Sequence, residues 1–289
     1  MNTVLKNLTI KNNFMFAAVM SDEENCKGFL ERALSIKVDH VEISTEKNIV
    51  YHPEYKGVRL DVYAKDKNNT RYNIEMQVLK QPTLGRRSRY YQSQMDMELL
   101  SKGCEYAELP DSYVIFLCDF DPFGEGKYRY TFRTICEETE NASLKDGRCI
   151  VFLNTCGKNV EDIPNELVSF LKFVHADLKE SQKDFQDDYV RQVQKSVTHI
   201  KASREMEERF MLLEELLKDE HRQGVQEGMK KGELKATREI LEMTLERFGQ
   251  LPESLLTTLY EQQDIELIRN WIQTALTVKS LDEFISRIR

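Results

Sequence analysis

The sequence has few of the residues that mark secreted, disulfide-rich or zinc-stapled proteins. Its 289 residues include six prolines and six cysteines, the latter at positions 26, 104, 118, 136, 149 and 156. No two cysteines form a CxxC pair, and no cysteine–histidine cluster has the spacing of a zinc site. We therefore expect scattered, buried thiols in a reducing compartment rather than a disulfide framework.

Long hydrophobic runs and an excess of basic residues are also absent. Residues 1–13 lack the apolar core of a signal peptide, and no stretch approaches the roughly 20 apolar residues needed to cross a bilayer. We therefore predict a soluble, cytoplasmic protein. The formal net charge of −8 does not indicate nucleic-acid binding, which usually leaves a basic footprint. It does not exclude DNA as a partner, because local patches matter more than the total charge.

What the chain does contain is enough apolar material for a core and many charged residues. Hydrophobic residues make up 40% and charged residues 31% of the sequence, a mixture typical of a folded protein with much exposed helix rather than of disorder. The pattern along the chain predicts three zones. They are an α/β domain over residues 1–160, a helical extension and linker over 161–233, and a small helical module over 234–289.

The first zone predicts a mixed sheet with helices. Hydrophobic periodicity predicts an amphipathic helix over residues 14–34, which Ser21 and Asp22 could interrupt. A turn is expected over 66–70, where two asparagines tolerate left-handed backbone geometry. The other elements are a helix over 86–103, ended by Gly103, and strands over 40–51, 57–65, 71–79, 112–120, 128–138 and 148–154.

The second and third zones predict helices. One helix covers residues 165–178, and a long charged helical stretch covers 181–221. Residues 224, 228 and 232 are glycines inside a polar segment, which predicts a weak helix that serves as a linker. An apolar stripe in the long stretch either packs against its own domain or forms a dimer seam; its members are Met206, Phe210, Leu213 and Leu217. In the third zone, Trp271 is expected in the core, and Ser280 with Glu283 forms a capping box.

The candidate functional residues lie in the predicted hairpin GVRLDVYAKDKNNTRYNIEMQVLK, residues 57–80. Asp61 and Glu75 alternate with apolar residues, so pairing of the strands could bring both carboxylates to one face. Two neighbouring carboxylates repel each other unless one takes a proton or both bind a cation, and Mg²⁺ prefers oxygen ligands. The alternative is a solvent-exposed hairpin face, which needs no function to explain its polar residues.

Three segments occur in order along the first zone: LDVYA…YNIEMQ, RRSRYYQSQMD and LSKGCEYAELPDSYVIFLCDFDPF. Together they resemble the Rpn family of recombination-promoting nucleases, also described as putative transposases of the PD-(D/E)XK nuclease superfamily. The resemblance implies a restriction-endonuclease-like αβββαβ core with a mixed sheet, followed by long helices and a small C-terminal helical module. It also implies Mg²⁺-dependent hydrolysis of DNA phosphodiester bonds by an endonuclease acting in recombination or transposition.

The resemblance also implies roles for particular residues. Asp61 corresponds to the metal-binding aspartate, Glu75 to the first residue of the (D/E)XK element, and Gln77 takes the place of its lysine. Asp61 and Glu75 are thus implied to hold Mg²⁺, and all three residues to act in catalysis. Glutamine carries no charge, so another group must supply positive potential. Four nearby basic residues either hold DNA phosphates or form a solvated helix face: Lys80, Arg86, Arg87 and Arg89.

Several points stay open from the sequence. Asn13 stands where relatives often carry an aspartate on the first helix, with Asp22, Glu23 and Glu31 as rival contributors. Tyr90 and Tyr91 are expected to divide between core packing and the edge of the site. The alternative function is a catalytically weak or inactive DNA-binding or assembly protein that retains the nuclease fold. A homo-oligomer could form through the C-terminal helices.

Overall fold

The computed structural model describes residues 4–49 and 58–288 of the chain. It contains a six-stranded sheet, and the predicted α/β class with a mixed sheet is confirmed. The strands are β1 Val41–Ile49, β2 Val58–Asp66, β3 Arg71–Gln77, β4 Ser112–Cys118, β5 Arg129–Phe132 and β6 Arg148–Asn154. The helices are α1 Asn13–Met20, α2 Glu23–Leu34, α3 Leu84–Leu99, α4 Asn165–His175, α5 Asp188–Ala202, α6 Arg204–Glu246, α7 Glu253–Glu261, α8 Ile265–Thr277 and α9 Leu281–Ile288.

The sheet has the strand order β1-β2-β3-β4-β6-β5. The first three strands form an antiparallel meander, β3 pairs in parallel with β4, β4 pairs in parallel with β6, and β5 is antiparallel to β6. A helical region, the meander, α3 and β4 follow one another as the predicted αβββαβ core requires. Strand β5 is shorter than the expected 128–138, and residues 50, 51 and 57 of the predicted strands lie outside the described residues.

Local capping explains why the first helical region is two helices. Asn12 accepts hydrogen bonds from the amides of Phe14 and Met15 and so caps α1. Asp22 accepts a bond from the amide of Asn25 and caps α2. The predicted interruption at Ser21 and Asp22 is therefore confirmed, because each cap satisfies amides that a helix start leaves without a partner.

Each face of the sheet packs against its own helices. Alternate residues of β3 and β4, such as Ile74 and Ile115, join a core with α1, α2, α4 and α5. The opposite face, with Val114 and Phe116, packs against α3. The polar residues of β3 that were expected on one face therefore point toward α3, since successive strand residues alternate between faces.

Simple alternation predicts that the apolar residues of β2 all lie on one face of the sheet, but the structure divides them between two faces. Val62 and Ala64 join the core beneath α1 and α2, whereas Val58 and Leu60 join the cluster on the α3 side. The register of β1 with β2 is the same on both sides of position 61, so no residue is inserted. Over residues 58–61, where β2 no longer pairs with β3, β1 and β2 form a two-stranded ribbon, which twists more strongly than a wide sheet.

Helix α3 ends earlier than predicted. Its last residue is Leu99, and Leu100 is already extended, with φ −108° and ψ 94°. Gly103 lies beyond the helix with φ +98°, next to a turn in which the Cys104 amide donates to the Ser101 carbonyl. The expectation that Gly103 ends the helix is therefore wrong; the glycine serves the following turn instead.

The chain forms two compact units, Met1–Phe210 and Met211–Arg289. Helices α4 and α5 belong to the core of the first unit; for example, Tyr189 is buried and its hydroxyl donates to the Asn25 carbonyl. The boundary expected between residues 160 and 161 thus falls inside this unit. The long charged stretch is two helices, because Ser203 between them is extended, with ψ 121°.

The apolar stripe of α6 divides at the end of the first unit. Met206 and Phe210 pack against the first core, whereas Leu217 is 45% exposed. The alternative of packing against its own domain is thus observed for the first half of the stripe only. Residues 224, 228 and 232 lie within the continuous helix α6.

The second unit has its own small core. It includes Trp271, as expected, and the fully buried Phe284. Gly249 has φ +108° in the turn after α6. Ser280 accepts a bond from the Glu283 amide, while the Glu283 carboxylate accepts from the amide of Lys279 rather than of Ser280. The expected cap is therefore present in a shifted form.

The cysteines and the helix lengths test two expectations drawn from the composition. All six cysteines are free thiols. Cys26, Cys118 and Cys149 are buried as expected, whereas Cys136 is partly exposed and Cys104 and Cys156 are exposed, so the expectation of buried thiols is wrong for these three. Within residues 4–49 and 58–288, no helix has both the length and the apolar character required to span a bilayer.

Candidate active site

Asp61 and Glu75 meet where β2 separates from β3. Regular pairing of the two strands runs from Lys65↔Arg71 to Val62↔Ile74. At the next position, the Asp61 amide donates to Glu75 Oε1 at 3.3 Å, and Asp61 Oδ2 accepts from the Met76 amide at 3.2 Å. Each carboxylate thus accepts a hydrogen bond from a backbone amide where the regular pairing ends, and the two carboxylates are close neighbours.

The face that carries these residues is not open to water. Glu75 and Asn73 are completely buried, and Gln77 is 7% exposed, because α3 packs across this face of the sheet. The alternative of a solvent-exposed hairpin face is therefore wrong. A buried carboxylate is costly unless it is paired or hydrogen-bonded, so Glu75 requires partners beyond the sheet.

Arg87 of α3 provides one such partner. Its Nη2 donates to Glu75 Oε2 at 2.8 Å and its Nη1 to Gln77 Oε1 at 3.4 Å. Its Nε donates to the Tyr91 hydroxyl at 2.6 Å, which is one helical turn further along α3. Arg87 therefore points into the candidate site, whereas the sequence grouped it with residues that contact DNA from a helix surface.

The electrostatics of the site follow from burial and proximity. Burial, followed by the neighbouring Asp61 charge, raises the pKa of Glu75 to about 8, and Arg87 opposes the rise. Burial, followed by the charge of Glu75, raises the pKa of Tyr91 to about 12, so its hydroxyl stays protonated near neutral pH. A carboxyl group whose pKa is raised by burial and by a second carboxyl is typical of functional sites.

The other predicted residues lie at different distances from this centre. Lys80, Arg86 and Arg89 are exposed, and none forms an ion pair with a described acidic residue. Asn13 is the exposed first residue of α1, and its side chain makes no hydrogen bond with Asp61, Glu75 or Gln77. Asp22 caps α2, as described above.

Of the rival residues on the first helical region, Glu23 accepts from the Val41 amide and contacts His40. Glu31 accepts from the Val38 amide at 3.1 Å. These two carboxylates bond the segment that joins α2 to β1, and neither forms a described hydrogen bond with Glu75 or Gln77.

Sequence reasoning did not single out Tyr91 as the partner of Arg87. An arginine and a tyrosine four residues apart on a predicted helix are a detectable signal, because side chains at this spacing are neighbours. It also missed a second polar cluster around Asp119, just after β4. Asp119 bonds Lys11 at 2.9 Å, His175 at 2.8 Å and Thr155 at 2.9 Å.

A cavity elsewhere in the first unit does not involve the candidate site. It has a volume of about 820 Å³ and lies between the N-terminal residues and α5. Lys6, Lys195 and Lys201 are among its lining residues, and none of Asp61, Glu75 and Gln77 is. The candidate site is therefore identified by its chemistry and not by the size of a cavity.

The donor atoms at the site suit a hard divalent cation. Asp61 and Glu75 supply carboxylate oxygens on neighbouring strands, and a carboxylate that accepts one or two hydrogen bonds retains lone pairs for another ligand. No group of three or more histidine, cysteine or acidic residues able to hold a metal occurs in the described part of the chain. Mg²⁺ fits this limited set, because it commonly takes one or two carboxylates and keeps several waters.

The chain matches the model of a known protein family. A family described as PD-(D/E)XK nuclease family transposase matches residues 10–228, more than half of the chain. The chain belongs to this family. PD-(D/E)XK nuclease family membership supports a function related to nuclease activity or transposition and implies DNA as a partner. No curated protein and no solved structure matches the chain.

Proposed function

We propose that this protein is a Mg²⁺-dependent endonuclease that hydrolyses DNA phosphodiester bonds in recombination or transposition. The observation that carries the proposal is a pair of hydrogen bonds at the point where β2 leaves β3. The Asp61 amide donates to Glu75 Oε1, and Asp61 Oδ2 accepts from the Met76 amide, so the two carboxylates lie close together. Two carboxylates held close together in a buried site repel each other, which costs free energy, and a bound cation would compensate this repulsion. The proposal places the protein in the cytoplasm, where DNA is accessible.

In this proposal, Asp61 and Glu75 hold the metal through their carboxylate oxygens. When bound, a divalent metal activates water and stabilises charge on a phosphoryl oxygen. Gln77 lies two residues beyond Glu75 on the same face, where its amide can orient the attacking water by donating and accepting hydrogen bonds. The two bonds to backbone amides fix both carboxylates before substrate arrives, which lowers the cost of organising the site.

DNA contacts are assigned to the exposed basic residues beside the site. Lys80, Arg86 and Arg89 are exposed without a described acidic partner, which leaves their charges available to phosphates. Phosphate contacts supply much of the affinity and make it depend on salt. Arg86→Gln should therefore lower the slope of log affinity against log salt by about 1, measured by fluorescence anisotropy.

The test of the proposed activity is nicking of supercoiled plasmid with Mg²⁺ or with EDTA. Asp61→Asn and Glu75→Gln should each lose at least about 100-fold of the cleavage rate. Glu42→Gln is the matched control, because Glu42 is an exposed acidic residue of the same meander, 3.5 Å from Lys65 and outside the site. Equal cleavage by all four proteins would refute the assignment.

The alternative function is DNA binding or assembly without turnover. Two observations favour it: position 77 is not a lysine, and Glu75 Oε2 already accepts a hydrogen bond from Arg87 Nη2. In that case the same assays would show salt-sensitive DNA binding and no metal-dependent product. Measuring both binding and nicking on one preparation separates the two functions.

We also propose self-association through α6. Leu212, Leu216 and Leu217 are 59%, 54% and 45% exposed, and exposed leucines at this spacing are typical of helices that pair. Light scattering of the full chain should give a mass above the 34.0 kDa monomer. Leu212→Lys with Leu216→Lys should reduce that mass, and a monomeric wild-type protein would rule the proposal out.

A further inference from the structure

Arg87 differs from the other arginines of α3 in where its charge is directed. We propose that Arg87 supplies to this active site the positive charge that the lysine of the (D/E)XK element supplies from the strand. The inference rests on the proposed function, because it assigns a role within the same site. It also separates Arg87 from Arg86 and Arg89, which remain candidates for docking DNA.

The first support is the pair of acceptors that Arg87 contacts. Its two terminal nitrogens donate to Glu75 Oε2 at 2.8 Å and to Gln77 Oε1 at 3.4 Å. These acceptors are the first and third residues of the strand element in which the lysine would stand third. The guanidinium therefore lies beside the side chain of position 77, although it comes from a helix.

The second support is the way the guanidinium is held. Its Nε donates to the Tyr91 hydroxyl at 2.6 Å, and its central carbon is 4.9 Å from the centre of the Tyr91 ring and 5.9 Å from that of Phe116. The Arg87 side chain is 29% exposed. These contacts orient it toward the carboxylates, whereas a docking residue needs freedom to follow a phosphate backbone.

The third support is the number of N–H donors on Arg87 that its three acceptors leave unused. A guanidinium has five N–H donors and stays charged at any physiological pH. One donor on each of the three nitrogens is used by Tyr91, Glu75 and Gln77. Two N–H groups are left to donate to a phosphate oxygen as its negative charge develops. Such a donor, fixed in advance in a partly dry site, is typically worth about 10²–10³ in rate.

The experiment compares Arg87→Met, Arg87→Lys and the double variant Gln77→Lys with Arg87→Met. Two quantities are measured: the single-turnover cleavage rate with Mg²⁺ at saturating protein, and DNA affinity in EDTA by anisotropy. Arg87→Met should lose about 100-fold of the rate while DNA affinity changes by less than about twofold. The double variant should recover at least about tenfold, because a lysine at position 77 returns the charge to the strand.

Two further variants complete the design. Lys102→Met removes an exposed charge just beyond α3 and should change neither quantity. Arg86→Met should weaken DNA affinity in EDTA, which gives the signature of a docking residue for comparison. Circular dichroism verifies that each variant is folded, and Arg87→Lys retains a charge if Arg87→Met does not fold.

The possible results separate the inference from the proposed function. If Arg87→Met weakens DNA affinity as Arg86→Met does and leaves the saturating rate unchanged, Arg87 is a docking residue and the inference is overturned. It is also overturned if the folded double variant is as inactive as Arg87→Met. If the wild-type protein does not cleave with Mg²⁺, the proposed function itself has failed.

Discussion

Strand β3 and helix α6 both carry charged pairs, but their surroundings are opposite. Glu75 of β3 is completely buried and pairs with Arg87 at 2.8 Å. Arg204 and Glu208 of α6 pair at 3.0 Å with side chains that are 91% and 65% exposed. Water screens the α6 pair, so it contributes little to stability, whereas an uncompensated charge at Glu75 would be very costly.

The difference shows that a buried charged pair is a better indicator of a functional site than an exposed one. Helix α6 carries most of its charges on a solvated surface, where many of them pair with residues three or four positions away and are screened by water. On β3 an acidic residue is buried, and its desolvation costs free energy that an apolar residue of similar size would not cost. We therefore assign function to the buried pair and none to the exposed one, and the following substitutions test that contrast.

The largest expected effect is the loss of the buried partner. Arg87→Met should lower the free energy of unfolding by about 1–3 kcal/mol, because the buried Glu75 carboxyl loses its hydrogen-bond donor inside the protein. Arg204→Met should cost less than about 0.5 kcal/mol, because the α6 pair is exposed. Urea denaturation of the two variants measures both values. Similar losses would show that burial does not distinguish the two pairs.

The next effect is a dependence of stability on pH. The pKa of Glu75 is about 8 in the folded protein and 4.5 in its unperturbed state, so the folded state holds the proton more tightly. The stability from this group is therefore full below pH 4.5 and is lost as pH rises through about 8.

Glu75→Gln removes this dependence, since glutamine does not titrate. From pH 5 to pH 8.5, the stability of the wild-type protein should fall, and that of Glu75→Gln should fall less. Denaturant midpoints at the two pH values provide the measurement. Parallel pH profiles would mean that Glu75 titrates normally, while Glu208→Gln on α6 should leave the wild-type profile unchanged.

A smaller effect is expected from removing the Tyr91 hydroxyl, which holds the Arg87 side chain in place. Tyr91→Phe removes the hydroxyl that accepts from Arg87 Nε at 2.6 Å but keeps the ring against the core. The variant should lose about 1 kcal/mol, the usual net value of an intramolecular hydrogen bond, because Arg87 is partly exposed and water can replace the hydroxyl. Thermal unfolding compared with Tyr106→Phe, at a residue that is 88% exposed, would reveal whether the loss is specific.

The smallest effect concerns the glycines of α6. An added Cβ at Gly228 meets nothing within 4 Å, so Gly228→Ala should stabilise α6 by about 0.5–1 kcal/mol. At Gly28 the same atom would lie 2.5 Å from the Tyr189 ring, and Gly28→Ala should destabilise the first unit. Helicity by circular dichroism and the melting temperature measure the opposite signs. Destabilisation by Gly228→Ala would indicate that α6 needs a close approach at that position.

Local features of the fold were predictable because their causes are local. The turn over 66–70 is present, with Asn69 at φ +67° and Asp66 accepting from the amides of Asn68 and Thr70. Capping residues likewise located the break between α1 and α2. The end of α3 was not predictable from Gly103, because a glycine signals a turn without stating which residue ends the helix before it.

The candidate site was predictable in its residues and not in its environment. Alternation placed Asp61, Glu75 and Gln77 on polar positions, but the same alternation equally fits a face open to water. Charge alone could not distinguish Arg87 from Arg86, because their roles depend on which side of α3 packs against the sheet. The hydrogen bonds that the Asp61 and Glu75 carboxylates accept from backbone amides also depend on the position where two strands separate.

The sequence by itself determined the order of helices and strands, the turn of the meander and the acidic residues on it, because periodicity and turn chemistry act within a few residues. Only the tertiary structure decided that Glu75 is buried, that Arg87 turns inward, and that α4 and α5 share the first core. These outcomes arise from contacts between segments far apart in the chain, where the requirement to compensate a buried charge selects the partner.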